Sequence, residues 1–354
     1  MNLEPLDDSI YCDKVYGGFY GKCIGSYLGM PLEMRPYRFI QKKYGEINYY
    51  VKIYKKGVIN DDEMFEIVGL MALEKYGITL SSKNIAEMWL KELYTNMYTA
   101  EDVAFKNLQK GIFPPDSGSQ NNIFSDFIGG QMRGELWGLI TPGLPDIAEK
   151  YGRMDAEITH SGEGILGEIF ISRIVSAAFY EANPRNLIDI AIKTIPKKSI
   201  YFSFVDKAIK LHNKHSNWRD AREEIIKYWK EIKIELIENS TDTKRRNMLQ
   251  DKYLHGVHVL PNIGIIILAL LYGDADFGKS ICIAGMAGYD TDCNCGNVGA
   301  IIGTSIGESN ISKKWKDPIN DIFKTRLRSL SEARISDIAK RICKIGKKVT
   351  KAKN

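Results

Sequence analysis

Two short runs of acids stand where helices begin. Asn60-Asp61-Asp62-Glu63 forms one, and Asp290-Thr291-Asp292 forms the other, inside "GYDTDCNCGNVGAIIGTSIG" at residues 288–307. A single Asp or Asn at a helix start is explained by capping, because its side chain accepts a backbone N–H and suits the helix dipole. A second neighbouring carboxylate is not, since adjacent carboxylates repel unless a cation lies between them. Either run alone reads as a cap. Two of the same kind in one helical chain favour a metal site. Oxygen donors without histidine or a paired cysteine set suit Mg²⁺, Ca²⁺ or Mn²⁺. An EF-hand loop starting at Asp290 fails, because its sixth and twelfth places hold Cys295 and Ile301. Cys293 and Cys295 lack a second pair for zinc and read as free thiols.

The elements that must position these acids read as helices. Periodicity and end signals predict helices over 61–77, 81–95, 163–180, 185–194, 203–213, 218–231, 262–272, 277–287, 293–306 and 331–345. "EINYYVKIY" (46–54) reads as a strand, and "SIYFSF" (199–204) as either a strand or a helix start. Strands and helices do not alternate, so the expected class is an all-α orthogonal helical bundle in one domain over 1–345, followed by a basic tail at 346–354. Gly17, Gly21, Gly25 and Gly29 recur every fourth residue, as do Gly299, Gly303 and Gly307. Each helix-interior glycine costs about 1 kcal/mol against alanine. Close backbone approach would offset that, and the two glycine faces are expected to pack on each other, approach to other helices being the alternative. Trp89, Trp137 and Trp218 are assigned to the core, and "SGSQNN" (117–122) is read as a turn or a substrate loop.

The chain has 354 residues, 44% of them hydrophobic, which suffices for a sizeable core. Its net charge of +5 misleads, because Lys340, Arg341, Lys344, Lys347, Lys348, Lys351 and Lys353 cluster at the end and leave a body of about −2. No base-reading motif accompanies them. Six cysteines show no paired framework, and the N-terminus is acidic without an apolar run, so a cytoplasmic, reducing setting is expected. The longest apolar run, near residue 263, is too short to span a bilayer.

Four segments in order resemble the ADP-ribosylglycohydrolase family: "GKCIGSYLGMPLE", "NDDEM", "GGQMRGELWGLITPGLPDIAEKYGRMDAEITHSGEG" and "GYDTDCNCGNVGAIIG". The resemblance covers nearly the whole chain. It implies an all-α hydrolase with two Mg²⁺ ions (Mn²⁺ as the alternative) that cleaves the bond at the anomeric carbon of the distal ribose of ADP-ribose conjugates, ADP-ribosylated proteins among them. By position it implies Asp61, Asp62, Asp290 and Asp292 as metal ligands, and Glu33 or Asp292 as the catalytic carboxylate. Gly129, Gly130, Gln131 and Met132 would form a diphosphate loop, with His160 facing the distal ribose and Ser161 beside it. Arg133 is read as a structural ion-pair partner. The chain departs from the pattern at Ser26, at Asn60 in place of Thr, and at Cys293 in place of a metal-ligating Thr or Ser. Asn60 and Cys293 therefore join the ligand candidates, with Glu63 as a compensating carboxylate. Competing expectations on the same fold are a hydrolase of a small nucleoside or ribosyl compound, and a non-catalytic ADP-ribose-binding or immunity protein. The intact acid pairs speak against the latter.

Overall fold

Glycines at every fourth position draw two distant helices together. The computed structural model describes residues 4–54, 57–94, 97–251 and 254–352; Thr95 at the end of an expected helix and Lys353 in the expected tail lie outside them. The first helix is Asp8–Gly29, and its partner is Thr291–Ile306. A Cβ on Gly17 would strike the Gly303 carbonyl oxygen, and one on Gly21 that of Gly299. Gly25 stands likewise against Cys295, and Gly29 against Thr291. Residue numbers rise along one helix as they fall along the other, so the pair is antiparallel. The C-terminal end of the first helix, which leads to Glu33, therefore meets the N-terminal end that carries Asp290 and Asp292.

The rest of the fold is all-α around this pair. The Val259–Gly273 helix is buried along nearly its whole length, which its run of Ile and Leu requires. It passes to Phe277–Ala287, whose N-cap Asp276 accepts from the Lys279 amide at 2.6 Å, and then to Thr291–Ile306. One apolar core extends from Tyr11 to Val349 and contains Trp89, Trp137 and Trp218. No helix among the described residues is long and apolar enough to cross a membrane.

Several sequence expectations are corrected. Residues 46–54 form bends, not a strand: Tyr49 and Tyr50 give their hydroxyls to the carbonyls of Lys314 and Trp315 instead of finding a sheet partner. The strands are Val58–Ile59, Ile322–Lys324 and Glu332–Arg334, too short to leave an alternating pattern. The first pairs parallel with the second, and the second antiparallel with the third. The last helix consequently starts at Ile335; it runs to Lys351 and buries Gly346 and Val349. "SIYFSF" opens the Ile200–Lys214 helix, because Ser199 caps it by accepting from the Phe202 amide at 3.1 Å. Helices at Tyr37–Tyr44, Thr99–Gln109, Pro145–Thr159 and Thr243–Gln250 were not expected. Nor was the Cys12–Cys343 disulfide, which joins the first and last helices with Cα atoms 5.5 Å apart; the other four cysteines are free and buried.

Candidate active site

The question of caps against ligands is decided by which groups make the cap bonds. At the Asp61–Tyr76 helix the cap is Asn60, whose Oδ1 accepts from the Asp61 amide at 2.8 Å. Its Nδ2 donates to Asp292 Oδ2 at 3.3 Å, so one side chain ties the two acid runs together. Asp290 occupies the N-cap position of its helix but makes no side-chain cap bond. Asp62 Oδ2, Asp290 Oδ1 and Asp292 Oδ1 are buried and have no hydrogen-bond partner. Buried polar atoms are rarely left in that state without a missing ligand or ion to explain them.

These oxygens meet in two groups. Oxygens of Glu33, Asp290 and Asp292 lie within 4.8 Å of one another, and so do ligand atoms of Asp62, Asp292 and Cys293. Asp292 belongs to both. Asp61 belongs to neither, but it lines the same cavity of about 380 Å³, with Asn60, Met132 and Gly129. That volume accommodates a small ligand. Glu63 does not line it. It is fully buried beneath, in a layer with Lys22, Glu66 and Glu135, where burial raises its carboxyl.

Crowding of acids shows in their titration. The Asp292 carboxylate, then burial, then Asp61 push Glu33 up to about 8. Burial, then Asp292, pushes Asp61 up to about 6. Asp62 and Asp290 are raised well above the carboxylate range, burial being the largest cause for both. A divalent cation would relieve both the desolvation and the repulsion, so hard oxygen donors here fit one. Cys293 does not fit as a ligand for a hard ion. Burial holds its thiol protonated, and it donates to Asp62 Oδ1 at 3.6 Å.

The facing wall was only partly anticipated. Gly129 and Met132 line the cavity, whereas Gly130, Gln131, His160 and Ser161 do not. Gln131 is buried, with its Oε1 accepting from Tyr201 at 2.9 Å. His160 is fully buried behind Glu101; its Nδ1 shares a 2.6 Å hydrogen bond with Thr159 Oγ1, and burial keeps it neutral. Ser161 gives its amide to the Ser125 carbonyl. "SGSQNN" is structural: Ser117 Oγ donates to Ile158 O, and Asn122 Nδ2 to Thr159 O. The group that does face the cavity is Glu101, whose carboxylate lies where a Gly129 side chain would be. Burial pushes it up to about 7 even though Arg133 opposes the shift. Next to it Thr99 holds φ at 45°, an uncommon backbone state for a β-branched residue. The strand Ile322–Lys324 and the residues after it add Lys324, Thr325 and Arg326 to the rim.

Arg133 organises what lies behind this wall. Fully buried, it donates to Glu101 Oε1 at 3.2 Å, Asp155 Oδ2 at 3.1 Å, Thr159 Oγ1 at 2.7 Å and the Gly129 carbonyl at 3.0 Å. Removing one partner of a buried ion cluster leaves uncompensated charge, so Arg133→Met is expected to cost about 3–5 kcal/mol. Chemical denaturation measures this, and an unchanged midpoint would show that the cluster carries no such weight.

The sequence model of the ADP-ribosylglycohydrolase family matches residues 7–346. A protein of Archaeoglobus fulgidus, described only as uncharacterized, is 22% identical over 322 residues, which cover 87% of this chain and 92% of its own. A solved structure described as an "ADP-ribosylglycohydrolase-related protein complex" has a TM-score of 0.63 at 15% identity. The match covers 96% of this chain and 99% of that one, and it speaks to the fold.

Proposed function

This chain belongs to the ADP-ribosylglycohydrolase family, and on that premise we propose that it is a Mg²⁺-dependent hydrolase of the glycosidic bond at the anomeric carbon of the distal ribose in ADP-ribose conjugates, an ADP-ribosylated protein being the acceptor class. Mn²⁺ is the alternative ion. The observation that carries the reading is the set of three buried, partnerless carboxylate oxygens, on Asp62, Asp290 and Asp292, at one cavity whose helix cap is supplied by Asn60. Those three residues would hold the ions, with Asp61 and Glu33 at the margin.

A bound divalent cation supplies Lewis-acid chemistry, polarising an oxygen and making water a better nucleophile near neutral pH. The chain's own residues do the rest. Cleavage at the anomeric carbon builds oxocarbenium character on the ribose, and the negative field of the clustered carboxylates favours that charge. Asn60, bonded to Asp292 Oδ2, fixes the orientation of that carboxylate. Glu33 lies on the exposed side of the cluster, and once a bound cation offsets the Asp292 charge that raises it, its carboxylate would take the proton of the attacking water. Gly129, Met132 and Glu101 close the opposite side.

Binding of a cation must displace protons from the raised carboxylates, so Mg²⁺ affinity is expected to climb from pH 6 to pH 8, with proton release. Folding stability should run the other way. Because Asp61 and Glu33 titrate higher folded than unfolded, the native state holds extra protons between about 4 and about 8. The metal-free protein should then lose stability as pH rises through that window, and Mg²⁺ should restore it. Thermal melts in chelator against pH check the sign. The activity itself is tested by incubating the protein with Mg²⁺ and ADP-ribosylated substrates of arginine, serine and nucleic-acid linkage, and measuring released ADP-ribose. Release that needs Mg²⁺ supports the reading; no release from any linkage, with no binding of ADP-ribose, would overturn it.

A further inference from the structure

The acid-lined cavity does not end at Glu33. Met30, Glu33 and Tyr54 also border a second cleft, of about 630 Å³, whose further walls carry Arg35, Lys43 and Lys52. The charge therefore changes sign across Glu33, from buried carboxylates inside to exposed cations outside. The Tyr37–Tyr44 helix gives this outer surface its shape. It buries only Ile40, and the Arg222 guanidinium lies 3.9 Å from the centre of the Tyr37 ring. Those two residues anchor the helix, and Arg38, Phe39, Lys42 and Lys43 are left exposed on it.

Residues 34–54 hold five basic side chains, on Arg35, Arg38, Lys42, Lys43 and Lys52, against one acid, Glu46. All five are exposed and none forms an ion pair among the described residues, whereas Glu46 is already engaged by Arg219. The helix dipole accounts for Lys42 and Lys43 in the last turn, but not for the other three. Two large apolar side chains, Phe39 and Ile53, are exposed in the same segment. Free cations joined to apolar groups beside a catalytic mouth suit an acidic polypeptide. A surface for single-stranded nucleic acid keeps its ring faces open for bases, and here the rings already carry cations. Arg35 lies 5.8 Å and Lys43 5.4 Å from the centre of Phe39, Lys43 4.9 Å from that of Tyr44, and Lys52 4.5 Å from that of Tyr54. We propose that this basic surface docks the acceptor, and that the protein from which the ribosyl group is removed carries Asp and Glu around its modified residue. This rests on the hydrolase reading above and deepens it: the acid cavity takes the ribosyl group, and the surface outside it selects the acceptor. Charges at a rim act on association, and so on KM, more than on the chemical step.

The test measures ADP-ribose release, in Mg²⁺, from peptides carrying ADP-ribosyl arginine or ADP-ribosyl serine, flanked by Asp and Glu in one set and by Gly and Ser in another. Wild type is compared with Arg35→Gln/Arg38→Gln/Lys42→Gln/Lys43→Gln and with Arg38→Glu/Lys42→Glu; all four positions are exposed, so their replacement leaves the core intact. The expected result is that wild type favours the acidic set by about tenfold in kcat/KM, through KM, and that the preference fades at high salt. The fourfold variant should lose the preference while binding free ADP-ribose as wild type does, and the charge reversal should favour a set flanked by Lys and Arg. No preference in wild type, or the same preference in the fourfold variant, overturns the docking surface. So does tighter binding of a single-stranded oligonucleotide than of the acidic peptide, lost in the fourfold variant, which would make nucleic acid the occupant. If no peptide releases ADP-ribose, calorimetry with the unmodified acidic peptide separates the two readings. Binding by wild type that the fourfold variant loses would leave the docking surface standing while the hydrolase reading falls, and no binding would overturn both.

Discussion

Asp292→Asn is expected to abolish hydrolysis, by about a thousandfold or more, and at the same time to raise the melting temperature of the metal-free protein. The first effect follows from Asp292 being the one residue common to both side-chain groups, where it stands with Glu33 and Asp290 in one and with Asp62 in the other, so that its loss leaves neither complete. A metal site contributes several kcal/mol of charge stabilisation, and each 1.36 kcal/mol is a factor of ten in rate. The second effect follows from repulsion. Asp292 is a cause of the upward shifts at Glu33, Asp61, Asp62 and Asp290 alike, so removing its charge relaxes four neighbours. The asparagine oxygen can still accept from Asn60, and the side-chain volume is nearly unchanged. Wild type should gain stability when Mg²⁺ is added, and the variant should gain little. Scanning fluorimetry in chelator and in Mg²⁺, beside an assay of ADP-ribose release, reads both effects. A variant that melts lower than wild type in chelator would mean that the carboxylate is a structural partner and the cluster no strained metal site.

What could be read in the sequence divides by the range of the signal. The acid runs are contiguous, and the glycine faces repeat at four, so both are local patterns that survive without coordinates. Their meeting is not local, but it follows once two complementary glycine faces are granted close packing. The small sheet leaves no trace, since strands of two and three residues cannot alternate visibly. Because the sheet was invisible, so was the placement of Lys324 and Arg326. Glu101 was missed for another reason: it stands beside Asp102 in the first turn of Thr99–Gln109, a helix that was itself not expected, and acids in a first turn ordinarily face solvent. The Pro145–Thr159 helix was hidden because its buried face carries Gly152, which packs against Ser172, and Asp155 and Thr159, which serve the Arg133 cluster, and these three break the apolar rhythm. His160 shows the limit of position. Its motif places it near the wall, but which way the ring turns is decided by Thr159 and by burial, and it turns inward.

Gly25→Ala is expected to unfold the protein or lower its stability by about 4 kcal/mol or more, an effect of the opposite sign to that of helix propensity. Propensity alone assigns an interior Gly→Ala change a gain of about 1 kcal/mol. Packing reverses it, because the new methyl would strike the Cys295 carbonyl and the Gly296 amide, which are backbone atoms and cannot rotate aside. The helices would have to separate, and overpacking on that scale belongs to the severe class of substitutions. Location adds a second consequence. Gly25 lies toward the end of the pair that sets Glu33 against Asp290 and Asp292, whereas Gly17 lies at the far end, against Gly303 and Gly307. Gly17→Ala should therefore destabilise comparably, yet leave Mg²⁺ affinity of the folded fraction closer to wild type than Gly25→Ala does. Denaturation midpoints and Mg²⁺ titrations at low temperature separate the two. A Gly25→Ala protein as stable as wild type would show that the antiparallel contact is looser than drawn, and the site would lose the fixed separation of its two helix ends on which its geometry depends.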